Sequence, residues 1–534
     1  MSCRAILSEI LRMPGDVWSF YMRLCRAFGF KFVCMVSIVY GINQGMGEAF
    51  FGVATEYFLS DLPPKGLGVQ PSKMTSIDGF ANIPWQVKSL YGIASDTFPV
   101  GGLHRSPYII FSAAVGVFSW SFLWLFPVLT AGITALALFF GNFSIASPDV
   151  MVDASVAERC KTHPRLASDL QTLCWASFGI GKLVSGLMSG YLYDTLGSRM
   201  LFGFTAVTSM VTLYPAMQGW LCEETKPPND AGRTGCRSLV DAFEDPVSGP
   251  LYRLSVILLA MSITMGIGAN VVQGGLPILA LSLPITLLVP ICIFYFEKGV
   301  SKRLAKASAF IFLSQAVQPS SPVLFYWSRD NDQNCGGQYG DRPCFSPEFF
   351  SVVSTVGNIV FIVGTTLYNK YFSSWSYKKI WASTQIAMCA LGVLDFILVM
   401  RLNKIVGVSD HFFVIGSEIV QDLIKRVNTM PLFVLAAATC PDGVEATLFA
   451  MNMGISNFGG SMSGYFGIVV MWMLGDVKAP EFVNIESFVV IRSLARLLPL
   501  LFIPFLCPDG SPNSEGETEV EFAAVTLEED INDI

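Results

Sequence analysis

Apolar runs of about twenty residues or more recur along this chain between short polar turns, and that is the length an α-helix needs to cross a bilayer. They fall at 32–60, 74–95, 107–128, 131–157, 169–190 and 200–220, then at 252–273 and 276–297, and finally at 304–327, 348–368, 379–400, 411–438, 444–474 and 484–506. The pattern predicts an all-α polytopic membrane protein of about 14 transmembrane helices. A polar stretch rich in Pro, Gly and charge, from Glu223 to Asp245, separates the first six runs from the rest. The expected organisation is an N-terminal arm (1–30), a six-helix half (31–220), a linker (221–251), an extra helix pair (252–300), a second six-helix half (301–507) and an acidic tail without apolar periodicity (508–534).

Composition agrees with the pattern: 52% of the 534 residues are hydrophobic and only 14% charged, where a soluble domain carries about 25% charged residues. Lys and Arg collect in the N-terminal arm, in 159–165, in 298–306 and in 370–379. The positive-inside rule puts all of these on one side only if both segments after the linker cross, which makes both termini cytoplasmic. The plasma membrane is the expected location. The net charge of -7 owes much to the tail and gives no reason to expect nucleic acid. Most cysteines sit inside apolar runs, whereas Cys335 and Cys344 share a polar loop and can pair if that loop is extracellular.

Asp149 and Asp153 stand one helical turn apart inside the fourth run. A carboxylate at bilayer depth costs roughly 2.5–3.5 kcal/mol on insertion scales, so it faces a protein interior or a water path rather than lipid. That is the signature of a transporter. The two halves also resemble each other: Gly186-Leu-Met-Ser-Gly190-Tyr191 matches Gly460-Ser-Met-Ser-Gly464-Tyr465. Near the same shift Asp149-x-x-x-Asp153 meets Glu418-x-x-x-Asp422, and Gln44 meets Gln315.

The loop Gly92-Ile-Ala-Ser-Asp96-Thr-Phe-Pro-Val-Gly-Gly102-Leu-His-Arg105 resembles the signature loop of the major facilitator superfamily, which implies that Asp96 and Arg105 latch a gate. Thr97 stands where that loop has a basic residue. Four further blocks, Pro84-Trp85 through Asp96, Asp149-Val-Met-Val-Asp153 through Arg159, Ser168-Asp-Leu-Gln171-Thr-Leu-Cys-Trp175 and Cys440-Pro-Asp-Gly-Val-Glu445, are similar to the folate–biopterin transporter family, and the extra helix pair resembles its protozoan branch. The resemblance covers most of 30–505. It implies a major facilitator fold of two six-helix halves, a pterin or folate as the small-molecule substrate, and alternating access.

Side-chain chemistry suits that cargo. A pterin presents a ring N–H beside an amino group, two donors that one carboxylate accepts together, and Asp149 and Asp153 are the obvious acceptors. Folate adds carboxylates that need cations, for which Lys88 and then Arg492 are the candidates; Gln44, Gln315 and Glu418 complete the expected substrate set. Protons are the expected coupling ion, carried by Glu48, Asp149 or Glu418, since a carboxylate in apolar surroundings can load and unload a proton. Gln44 and Glu48 share one helix face, and a salt bridge from Glu48 to Lys88 is an equal alternative. Glu418, Asp422 and Arg426 share another face, where an Asp422–Arg426 pair is expected. Trp85, Trp175 and Trp327 are candidates to stack on a flat ring.

An enzyme is not expected. The three histidines are widely separated, and the chain has no metal-ligand spacing and no phosphate-binding glycine loop, so neither a metal nor a cofactor is expected. Without a nucleotide site the driving force must be an ion gradient or that of the substrate. Two alternatives stay open: a carrier of another solute such as S-adenosylmethionine, and a nutrient sensor on the same fold.

Overall fold

The computed structural model describes the backbone of residues 3–223, 240, 243–245, 248–298, 301–438 and 445–512. Most of the expected linker, the Cys440-to-Val444 part of the family block and most of the acidic tail therefore lie outside the described residues. Each predicted apolar run coincides with helix, and among the described residues β-structure is limited to two single bridges.

The N-terminal arm is itself a helix, α1 (Cys3–Phe28), tied to the bundle by Arg23 and Asp169 at 2.9 Å. In the first half follow α2, built of Phe30–Ser37, a π-helical segment Ile38–Met46 and Gly47–Ser60, and α3, broken into Pro71–Ala81, Ile83–Gln86 and Lys88–Thr97. Then come α4 (Ser106–Leu125), α5 (Ala131–Thr162), α6 (Ala167–Leu196) and α7 (Ser198–Met217). The inserted pair is α8 (Ser248–Val271) and α9 (Gly275–Glu297), which pack on each other, on α3 and on the second half. That half comprises α10 (Lys302–Ala316 and Val323–Ser328), α11 (Pro347–Leu367, continued by Tyr368–Phe372), α12 (Tyr377–Val399), α13 (Asp410–Ala438), α14 (Glu445–Met473) and α15 (Ile485–Ala495 with short turns to Leu506).

Among the described residues, eight helices are long and apolar enough to cross a membrane: α4, α5, α7, α8, α9, α11, α12 and α15. The others have a physical reason for falling short. α2, α3 and α10 are interrupted, while α6, α13 and α14 carry the polar faces that meet other helices. Helices that look into the bundle need not be apolar all round.

Among the contacts that join the halves, two helix seams stand at matching positions. α6 runs against α11, where a β-carbon on Gly186 would lie 3.3 Å from the Thr355 hydroxyl; α14 runs against α3, where one on Gly464 would lie 2.8 Å from the Thr75 methyl. The matching glycine motifs of the sequence thus mark equivalent seams, α6 to α11 and α14 to α3. Within the first half the π-helical segment of α2 presses backbone to backbone on α6: a β-carbon on Gly45 would meet the Phe178 carbonyl at 2.5 Å, and one on Gly181 would run into the Gly41 carbonyl. Small residues are what let helices approach this closely in lipid.

At one end of the bundle Cys335 and Cys344 form a disulfide in the loop after α10. That loop is pinned by Arg342, which donates to Asn334 Oδ1 at 2.5 Å and to the Pro480 carbonyl at 2.8 Å. Lys404 bonds Asp341 at 2.7 Å and, with Arg401, holds the Asp341 carboxyl below the usual carboxylate range.

Gly181→Val is expected to destabilise the purified protein by about 1–3 kcal/mol, the usual overpacking range. Gly179→Val, where a β-carbon meets nothing within 4 Å, is expected to leave the detergent melting temperature unchanged.

Candidate transport site

Buried charge is the scarce commodity in a helical bundle, and the first half concentrates it. Pro148 has no N–H to give the carbonyl of Ser144, one turn earlier in α5. That carbonyl instead accepts from Asn43 Nδ2 in the π-helical segment, at 3.2 Å. That bond ties α5 to α2, and Asp149, the next residue after the proline, turns toward α3. There Lys88 begins the last segment of the broken α3 and forms an ion pair with Asp149, with side-chain exposures of 12% and 5%. Trp85 lies 5.0 Å from the Lys88 ammonium and donates its ring N–H to Asn142 Oδ1 at 2.9 Å. Asp153 accepts a hydrogen bond from the hydroxyl of Tyr40, also in the π-helical segment. π-Helical segments are rare and cluster at functional sites, because they re-aim side chains within a continuous helix.

Glu48 does not bond Lys88. It pairs with Lys182 of α6 at 3.2 Å, and the Lys182 ammonium lies 5.2 Å from the Phe178 ring centroid. Gln44, one turn before Glu48, keeps a buried Oε1 with no hydrogen-bond partner.

The second-half residues form a separate network. Arg492 of α15 pairs with Asp395 of α12 at 2.5 Å, and Gln421 of α13 donates to Asp395 at 3.2 Å. Glu418 is electrostatically linked to Asp422, Asp395, Lys425 and Arg492. Arg426 donates to Thr365 Oγ1 at 2.8 Å, and the Asp422 carboxylate rests on Gly357. Gln315 packs by its β-carbon under Gly459 at the contact of α10 with α14. Of the three tryptophans, Trp85 reaches the charged cluster, Trp327 is buried in the apolar core and Trp175 is exposed.

Each end of the bundle carries a polar cluster that could latch it. At the end away from the disulfide, Arg105 bonds Asp96 at 2.6 Å, Ser95 and, at 3.4 Å, Glu158. The Glu223 carboxylate accepts the backbone N–H groups of His104 and Arg105 at 2.5 and 2.9 Å and of Ser106 at 3.0 Å, which caps α4 and fixes the turn that carries Arg105. At the disulfide end the latch crosses between halves. Arg329, beyond α10, bonds Asp61 at 2.7 Å and Ser60, while Tyr193 donates to the second Asp61 oxygen at 2.6 Å. Gln70 exchanges two bonds with Ala479, at 2.9 and 3.2 Å, and Tyr326 donates to the Val69 carbonyl at 2.8 Å.

Residues 44–522 match the model of the BT1 family. The chain belongs to the BT1 family. Among BT1 relatives, it is 31% identical over 492 residues to "Probable folate-biopterin transporter 2" of Arabidopsis thaliana, covering 91% of this chain and 84% of that one. It is 28% identical over 472 residues to "Folate-biopterin transporter" of Synechocystis sp., covering 88% and 80%. In three dimensions this BT1 chain superimposes on a crystal structure of the peptide transporter POT in complex with sulfate, with TM-score 0.59, 12% identity and coverage of 91% and 99%. A POT family transporter in complex with 5-aminolevulinic acid gives TM-score 0.60 at 13% identity, covering 89% of this chain and 96% of that one. At such identity the likeness is one of fold, while the family and its named relatives make the BT1 chain a multi-pass membrane transport protein.

Sequence reading had no access to Tyr40, Asp395, Asp61 or Arg329, whose partners lie far away along the chain. Lys182 did carry a signal, because it stands one turn before Gly186 on the face the glycine motif had already marked.

The Lys88–Asp149 pair is expected to behave as a unit. Asp149→Asn or Lys88→Met alone should cost about 3–5 kcal/mol by stranding a buried charge, and the double variant markedly less. Melting temperatures of the four proteins in detergent measure the coupling.

Proposed function

We propose that this chain is a secondary transporter that carries pterins and folates across a membrane by alternating access, coupled to protons. The observation that carries the proposal is the buried Lys88, Asp149, Asp153 and Tyr40 cluster in a BT1 family member whose named relatives are folate-biopterin transporters. In this reading Asp149 and Asp153 accept the ring N–H and amino donors of the pterin. Lys88 neutralises Asp149 while the site is empty. Gln44, Gln315, Glu418 and Arg492 line the path, and Glu48, Asp149 and Glu418 are the proton carriers. Asp96 and Arg105 are gate residues at one end and Asp61 with Arg329 at the other. The inter-half bonds at the disulfide end support a state closed on that side.

The proposed arrangement has about 14 crossings, with α8 and α9 as a pair inserted between two six-helix halves, both termini cytoplasmic, and the disulfide loop outside. The plasma membrane is the proposed site, although two relatives are named as chloroplastic. A cationic cargo such as S-adenosylmethionine is less well matched, since Lys88 and Lys182 already balance two of the nearby acids.

Cells expressing the chain should take up labelled folate and biopterin, with uptake rising as external pH falls from about 7.5 to 5.5 and collapsing with a protonophore. Asp153→Asn should lower uptake by about tenfold or more at equal surface level. Uptake of neither pterin nor folate would overturn the proposal, and indifference to the protonophore would remove its proton component.

The latch is tested separately. Arg329→Ala should favour opening at the disulfide end and raise labelling of a cysteine at Glu56, an exposed position one turn before Ser60, by a membrane-impermeant maleimide applied from outside. Unchanged labelling would deny Arg329 a gating role.

A further inference from the structure

Lys182 is a cation in the middle of α6 that its partner leaves partly accessible. Its side chain is 32% exposed and that of Glu48 22%, against 12% and 5% for Lys88 and Asp149. Its position on the helix says what it faces. Lys182, Gly186 and Gly190 repeat every four residues and so share one stripe of α6. At Gly190 that stripe presses on Pro347 and Ser351, and at Gly186 on Thr355, all of them in α11 of the opposite half or at its start. Ser189 and Ser351 add a hydroxyl contact at 3.3 Å. Lys182 is one turn further along the stripe, away from the disulfide end, and its ammonium turns to Glu48 of α2. The matching stripe of α11 runs Ser351, Thr355, Asn358, and Asn358 has a buried Nδ2 with no hydrogen-bond partner.

These features describe an exchangeable cation. A partly exposed pair is more easily exchanged than one as enclosed as Lys88 and Asp149, which cannot part without stranding two charges. A carboxylate entering from the seam can replace Glu48 on Lys182 with another charge-assisted bond, and the replacement leaves no cation unpaired. A neutral cargo has no such lever.

We propose that Lys182, held by Glu48 in the empty carrier, is the anion-binding group of the site and takes the carboxylate tail of a conjugated pterin, with the Asn358 amide as a donor from the opposite half. The assignment rests on the reading of the chain as a pterin and folate carrier. It moves tail recognition from Lys88 and Arg492, both engaged by acids with exposures below those of the Glu48 pair, to a residue outside the expected set.

Folate carries the tail and biopterin does not, so the ratio of their uptake isolates it. In the double variant Glu48→Gln/Lys182→Gln, which leaves neither charge stranded, the folate-to-biopterin ratio should fall by about tenfold or more. Loss of proton coupling alone lowers both substrates and leaves the ratio unchanged, and an unchanged ratio overturns the proposal. Failure of the wild type to carry either substrate would instead overturn the transporter reading. A binding measurement decides the matter if the double variant carries neither substrate. Purified Glu48→Gln, with Lys182 released, should bind p-aminobenzoylglutamate, the tail without the pterin, about tenfold more tightly than wild type; equal affinity overturns the proposal.

Discussion

A charge between helices in a bilayer has no water to fall back on, and the Lys88–Asp149 ion pair is where this chain meets that constraint most completely. Several local irregularities are explained by it. α3 is broken so that Lys88 starts a new segment, and α5 carries Pro148 immediately before Asp149. The carbonyl that the proline frees is taken by Asn43 from a π-helical segment, which also presents Tyr40 to Asp153. Each departure from regular helix would cost stability alone. Together they satisfy one another's polar groups around a pair that could not be left half made.

The same rule sorts the other intramembrane charges by how enclosed they are. Asp61 with Arg329 and Asp395 with Arg492 are well covered, with no side chain above 17% exposed, and each is further bonded by a neutral neighbour, Tyr193 or Gln421. Glu48 and Lys182 are the loose members of the set. Enclosure raises the cost of parting a pair, and that cost is lowest for Glu48 and Lys182. At the seams between the halves the contacts are close: α6 and α11 touch at Gly186 through the Thr355 hydroxyl, and α14 and α3 touch at Gly464 through the Thr75 methyl and at Gly79 through the ring of Tyr465.

The helices were legible in the sequence because bilayer thickness imposes a length that composition alone reveals, and Asp149 and Asp153 were legible because a buried acid is too costly to be incidental. The partners were not. Tyr40 and Asp153 are 113 residues apart and Asp61 and Arg329 are 268 apart, and no local periodicity encodes a contact of that range. The pairing of Glu48 was misjudged for a related reason: Lys88 and Lys182 are both single lysines in apolar surroundings, and only the close approach of α2 to α6 through Gly41, Gly45 and Gly181 decides between them. The π-helical segment was invisible because one extra residue in a turn leaves the apolar run intact. The pairing of Arg492, a candidate for substrate carboxylates, was likewise hidden because Asp395 sits 97 residues away in another helix.

Charge balance then bears on the kind of cargo the cluster suits. Around the first-half cluster two cations, Lys88 and Lys182, face three acids, Asp149, Asp153 and Glu48, and Asp153 is bonded by a tyrosine rather than a cation. A neutral pterin ring, offering donors, fits that surplus of acceptor without altering the charge of the site. A carboxylate tail does alter it. When it takes Lys182 from Glu48, the displaced carboxylate is left without its cation, a cost that a neutral cargo does not bring. The exchange at Lys182 would therefore distinguish acidic from neutral pterins, while the enclosed Lys88–Asp149 pair stays common to both.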